Sequence, residues 1–123
     1  MDRKVFTIVE ANKRLPLIKT IVGDILDKGQ KVKALSTLEN TPSVEQQKNS
    51  FIAEIEVLMV ELEELGCYFK DWNFEIGLVD FPAVINGKEV MLCWRSDEPN
   101  LRWYHSYDEG YPGRKLIPEN LLP

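Results

Sequence analysis

The spacing of apolar residues changes once along this chain, at Gly66-Cys67. Before that point they recur every three or four positions, and after it they alternate with a period of two. The first period lines one face of a helix, and the second lines one face of a strand. A chain divided in this way is neither all-helical nor all-strand, and it does not alternate strand with helix. The pattern predicts an α+β fold: an antiparallel hairpin of two long helices over 1–66, followed by a small C-terminal antiparallel β-sheet and a tail over 67–123. A length of 123 residues suits one domain, 1–123.

Local chemistry supports both halves. Thr7 and Glu10 have the spacing of a capping box, with Phe6 as a hydrophobic staple. Ile8, Ala11, Leu15, Ile18, Val22 and Ile25 follow on one stripe, which would continue through Gly29 to Val32. Gly29 predicts a break or a close contact. Pro16 lacks a backbone donor and predicts a kink near Lys13, or a separate helix over Thr7–Leu15. Thr41-Pro42 begins the second helix as cap and first residue. Its seam is Phe51, Ile55, Leu58, Leu62 and Leu65, flanked by Ile52 and Met59, and Gly66 is the left-handed cap. Asn86-Gly87 between two apolar runs predicts a two-residue hairpin, since both turn residues need positive φ. Pro82 puts the first of these strands at an edge or turns its nitrogen outward. A third strand is expected over Leu101–Ser106, with irregular chain beyond it.

Charge excludes several functions. The net charge is −5, the wrong sign for a general nucleic-acid binder or an anionic-membrane binder. No apolar stretch approaches the roughly 20 residues of a membrane span. The start of the chain has no apolar signal-peptide core, and the two cysteines form neither a disulfide framework nor a CxxC pair. The expectation is a cytoplasmic protein with reduced thiols. Residues 1–38 carry a net of +4 and residues 39–66 a net of −6, so the two helices attract each other.

The hairpin turn also assigns faces. Phe81, Ala83, Ile85, Val90, Leu92 and Trp94 share a core-like face. Asp80, Pro82, Val84, Glu89, Met91, Cys93 and Arg95 share the other, with Asp80 opposite Cys93 and diagonal to Arg95. Asp80 and Arg95 could polarise each other in a ligand site, or form a plain structural ion pair. His105, the single histidine, ends the third strand on a face shared with Leu101 and Trp103. Glu98 precedes that strand, and Asp108 and Glu109 follow it. Histidine with carboxylates suits a divalent metal, so Glu98, His105 and Asp108 are candidate ligands. The alternative is a surface histidine at a strand end. Cys93 beside Trp94 reads as a packed small hydrophobe rather than a nucleophile. Gly110–Lys115 has the composition of an anion-binding loop. Trp72 and Phe74 could line a pocket mouth. Motifs for nucleotide binding, the serine nucleophile elbow and zinc proteases are absent.

Several of these residues carry a resemblance. Phe6-Thr7…Glu10-Ala11-Asn12…Leu15-Pro16, Gly77–Ala83, Leu92-Cys93-Trp94-Arg95…Glu98, Trp103…His105 and Gly110…Gly113-Arg114 together resemble a small prokaryotic family known as domain of unknown function 2203. The family usually has Gly where Asp97 stands, and smaller residues at Tyr111-Pro112. The resemblance covers nearly the whole chain and implies its extent and a prokaryotic origin, but no activity. It directs attention to Asp80, Arg95, Glu98, His105 and Arg114.

The expected function is a self-associating binding module, a homodimer through its helices. Asp80, Arg95 and Arg114 would bind a small molecule or anion, and Glu98, His105 and Asp108 a zinc or manganese ion. A small metal-assisted hydrolase and a structural adaptor docking a partner helix are the alternatives.

Overall fold

Thr7 is extended at the start of the first helix, and its side chain accepts from the Glu10 N–H while its own N–H donates to Glu10 Oε1. This completes the capping box and starts α1, Ile8–Ser36. The computed structural model describes residues 5–71 and 73–122. α1 runs unbroken through Pro16, so Thr7–Leu15 is no separate helix. Phe6 does more than staple the helix start. It is buried, its N–H donates to the Pro82 carbonyl at 2.7 Å, and its ring meets Phe81 edge-on at 5.3 Å. The entry to α1 is thereby bonded to the sheet.

Thr41 caps α2, Pro42–Glu64, with Pro42 in its first turn. The end is a Schellman motif: Gly66 has φ of 93°, its N–H donates to Glu63, and the Cys67 N–H donates to Leu62. Lys28 pairs with Glu54 at 3.8 Å, and Lys31 lies over the Phe51 ring. Numbers rise on one helix as they fall on the other, so the hairpin is antiparallel with its opposite charges in contact.

The sheet has five antiparallel strands in chain order: β1 Tyr68–Phe69, β2 Leu78–Ile85, β3 Lys88–Arg95, β4 Trp103–His105 and β5 Lys115–Leu116. Asn86 and Gly87 have φ of 51° and 79°, and every expected pair of the β2–β3 hairpin is present, including Asp80 opposite Cys93. The third strand is shorter than Leu101–Ser106, and Leu101 leaves it to lie buried in the core. β1 and β5 have two residues each and carry no readable period. With β1 and Phe6 on its far side, β2 is internal to the sheet. The Pro82 carbonyl accepts from Phe6, so the Pro82 nitrogen also faces away from β3, where no donor is missed.

The core lies between α1 and the inner face of the sheet. Ala11, Leu15, Ile18, Val22 and Ile25 are buried there against Val79, Phe81, Ala83, Val90, Leu92 and Trp94. Each large apolar side chain so buried contributes about 1.5–3 kcal/mol. α2 is peripheral, with only Ile55 and Leu62 fully buried. Gly29 admits the Phe74 ring, which stacks on Phe69 and belongs to a loop tied down by Asp71. Phe74 therefore packs on α1 and the core instead of lining a pocket mouth. Trp72 lies outside the described residues. Among the described residues no helix is long and apolar enough to cross a membrane.

Candidate functional site

With α1 covering one face, the alternate residues of the strands form a second face. Leu78, Asp80 and Pro82 of β2 stand beside Met91, Cys93 and Arg95 of β3. β4 then sets His105 opposite Met91 and Trp103 opposite Cys93. The segment after β4 folds over them: Tyr107, Gly110 and Tyr111 roof a pocket of about 350 Å³ floored by Asp80, Met91, Cys93 and His105. Gly110 takes φ of 66° in this cover, a backbone that a side chain would strain. Gly113 is held so close to Glu109 that an added Cβ would lie 2.6 Å from the Glu109 Cβ. The glycines of the last motif shape this roof.

Three polar side chains are buried on the pocket floor. Asp80 is 6% exposed, Cys93 1% and His105 3%. Their ligand atoms all lie within 4.8 Å of one another. His105 Nδ1 is 2.7 Å from the Ser106 carbonyl, and Nε2 is 3.1 Å from Asp80 Oδ1. A carbonyl only accepts, so Nδ1 carries a hydrogen and Nε2 is the nitrogen turned to the pocket. One proton must then lie between Nε2 and Asp80. Burial pushes the Asp80 carboxyl up, against the opposing charge and hydrogen bond of His105 and the charge of Lys70. Burial, with the Asp80 charge, pushes the Cys93 thiol up to about 12, although Arg114 draws it down.

This geometry disfavours a cysteine nucleophile. Such a catalyst needs one imidazole nitrogen on the thiol and the other on an orienting group. Here one nitrogen is on a backbone carbonyl and the other on Asp80. A cation is the better fit. Thiolate, imidazole and carboxylate form a mixed donor set suited to zinc, whose bond lengths of about 2.0–2.3 Å imply donors about 3.5 Å apart. The Ser106 carbonyl would fix the histidine tautomer, as partners of metal-binding histidines do.

The other candidate residues form a supporting layer. Arg114 makes a two-pronged ion pair with Glu98, at 2.9 and 2.8 Å, and its guanidinium lies between Trp103 and Tyr111. Glu98 also accepts from the Arg95 N–H, and its carbonyl accepts from the Trp94 indole. Arg95 donates to the Tyr111 hydroxyl, and its Nε lies 2.9 Å from Asp97 without hydrogen-bond alignment. Asp80 thus meets His105 and not Arg95, and Glu98 meets Arg114 and not His105. Asp108 is exposed in the roof and lies outside the donor group. In the Gly110–Lys115 loop, the N–H groups of Gly113 and Arg114 donate within the turn itself. Cys93, read from sequence only as a packed residue, joins the donor group. Its position opposite Asp80 was the available signal.

Fold and site together define a small α+β protein with a buried Asp–Cys–His cluster under a glycine-shaped loop. The chain matches the family described as "Uncharacterized conserved protein (DUF2203)" over residues 4–117, and it belongs to that family. No curated protein and no solved structure matches it.

Proposed function

We propose that this protein is a small self-associating binding module that holds one zinc ion on Asp80, Cys93 and His105, with a further coordination position open to the pocket. One observation carries the reading: three buried donors of different chemistry converge on a pocket floor, with the histidine tautomer held by a backbone carbonyl. Thiolate and imidazole favour zinc over manganese. Three protein ligands and an open position also suit a catalytic metal. However, the lining includes no carboxylate besides Asp80, a ligand itself, to serve as base for a metal-bound water. Binding is therefore favoured over hydrolysis.

Self-association belongs to the same reading, with a second copy of the chain as the partner. On α2, Ile52, Val57 and Val60 are 39%, 60% and 50% exposed, and they fall on one side of the helix. The acidic charge of this helix complements the basic first helix of another copy.

Elemental analysis of protein purified without a nickel column tests the metal reading. About one zinc per chain is expected, and added Zn²⁺ should raise the melting temperature of stripped protein in a concentration-dependent way. His105→Ala should abolish that rise. A melting curve indifferent to Zn²⁺ in the wild type would overturn the reading.

A further inference from the structure

Lys70 follows β1, and its side chain is on the wall of the pocket that contains Asp80, Cys93 and His105. None of the ion pairs among the described residues uses it; its ammonium lies 5.9 Å from the Tyr68 ring. The other cations near the pocket are committed, Arg114 to Glu98 and Arg95 to Asp97. The remaining lining residues, Leu78, Met91, Tyr107, Gly110 and Tyr111, are uncharged.

We infer that this pocket takes a small organic monocarboxylate, its carboxylate shared between Lys70 and the open position of the bound cation, its hydrocarbon part against Leu78 and Met91. The inference rests on the zinc reading. With zinc bound, the ion's two positive charges are cancelled by the Asp80 carboxylate and the Cys93 thiolate. Neutral His105 adds nothing, and Lys70 leaves a net charge of +1. A monoanion neutralises that charge, whereas a dianion overshoots it. The apolar walls choose an organic ligand over an inorganic one, because a fully hydrated anion gains nothing from Leu78 and Met91 while losing water. A pocket of about 350 Å³ is at the lower end of small-ligand sites, which suits a short chain or a single ring.

Cobalt-substituted protein gives the test, since the visible bands of Co²⁺ follow its coordination. Acetate, butyrate, benzoate and inorganic phosphate are titrated separately. Butyrate and benzoate should change the spectrum saturably, acetate more weakly, and phosphate least. Lys70→Ala should weaken butyrate about tenfold, while Lys88→Ala, at the start of β3 and outside the pocket lining, should leave it unchanged. A cobalt spectrum that forms but ignores every carboxylate would overturn the inference and leave the metal reading intact. Tighter binding of phosphate, or an unaffected Lys70→Ala, would also overturn it. Failure of cobalt to bind at all would instead defeat the metal reading, and this inference with it.

Discussion

Asp80 is the residue where stability and function pull apart. Burial raises its carboxyl above the ordinary value of 3.8, against the pull of His105 and Lys70. A carboxyl raised by folding keeps its proton where the unfolded chain has lost its own. Its contribution is full below the unfolded value and is lost as pH rises through the folded one. Asn at this position keeps a donor for His105 Nε2 without a charge to bury. Metal-free Asp80→Asn should therefore melt at or above the wild type at pH 7, with the gap closing towards pH 4. Each kcal/mol gained would appear as about 3–5 °C at this chain length. The same variant should lose the zinc-induced shift. A pH series of melting curves, with and without Zn²⁺, checks both halves. Part of this chemistry was legible in the sequence: counting back from Asn86-Gly87 sets Asp80 opposite Cys93. The contact with His105 was not. The seven residues between β3 and β4 have no period, and the turn at Ser96-Asp97 closes on Glu98 rather than joining the two strands as a hairpin, so nothing local sets the register of His105 against Met91. Without that register the nearby carboxylates Glu98 and Asp108 were the natural partners.

At the scale of elements, the longest and best-capped segments were the readable ones. Capping box, Schellman end and Asn-Gly turn each satisfy backbone groups by chemistry confined to a few neighbouring residues, so local sequence reports them. β1 and β5 depend instead on a distant strand that supplies their hydrogen bonds, and two residues hold no pattern. Gly29 combines a local clue with a remote cause. Helix propensity favours Ala there by about 1 kcal/mol. An added Cβ would nevertheless lie 2.2 Å from Phe74 Cγ, on a residue whose own φ of 57° leaves it little room to retreat. Overpacking of this kind costs about 1–3 kcal/mol, so Gly29→Ala should destabilise the protein overall. Gly23 has nothing within 4 Å of the same built atom. Gly23→Ala should stabilise by about 0.5–1 kcal/mol. Urea unfolding of the two variants tests the contrast, and equal effects would mean that Phe74 does not dock at Gly29.

For the whole molecule, the arrangement divides labour between the two faces of the sheet. α1 covers the inner face and makes the core; the loop after β4 covers the outer face and leaves a pocket. α2 touches little of either and carries exposed valines on an acidic surface. Light scattering at micromolar concentration should report about twice the chain mass of 14.2 kDa. Val60→Glu should reduce it towards one chain, because an isologous contact contains every interface residue twice, so the change puts a charge in place of an apolar side chain at two points of the contact. A wild type that scatters as a monomer would refute the dimer and leave the site untouched. The central claim is that Asp80, Cys93 and His105 act together as ligands of one zinc ion. X-ray absorption of the zinc-loaded protein addresses it most directly, because sulfur and nitrogen or oxygen neighbours fall at different distances. The expected spectrum contains one sulfur at about 2.3 Å, with the remaining neighbours at about 2.0–2.2 Å, and the sulfur is lost in Cys93→Ser. A shell of nitrogen and oxygen alone, or a spectrum that Cys93→Ser leaves unchanged, would contradict it.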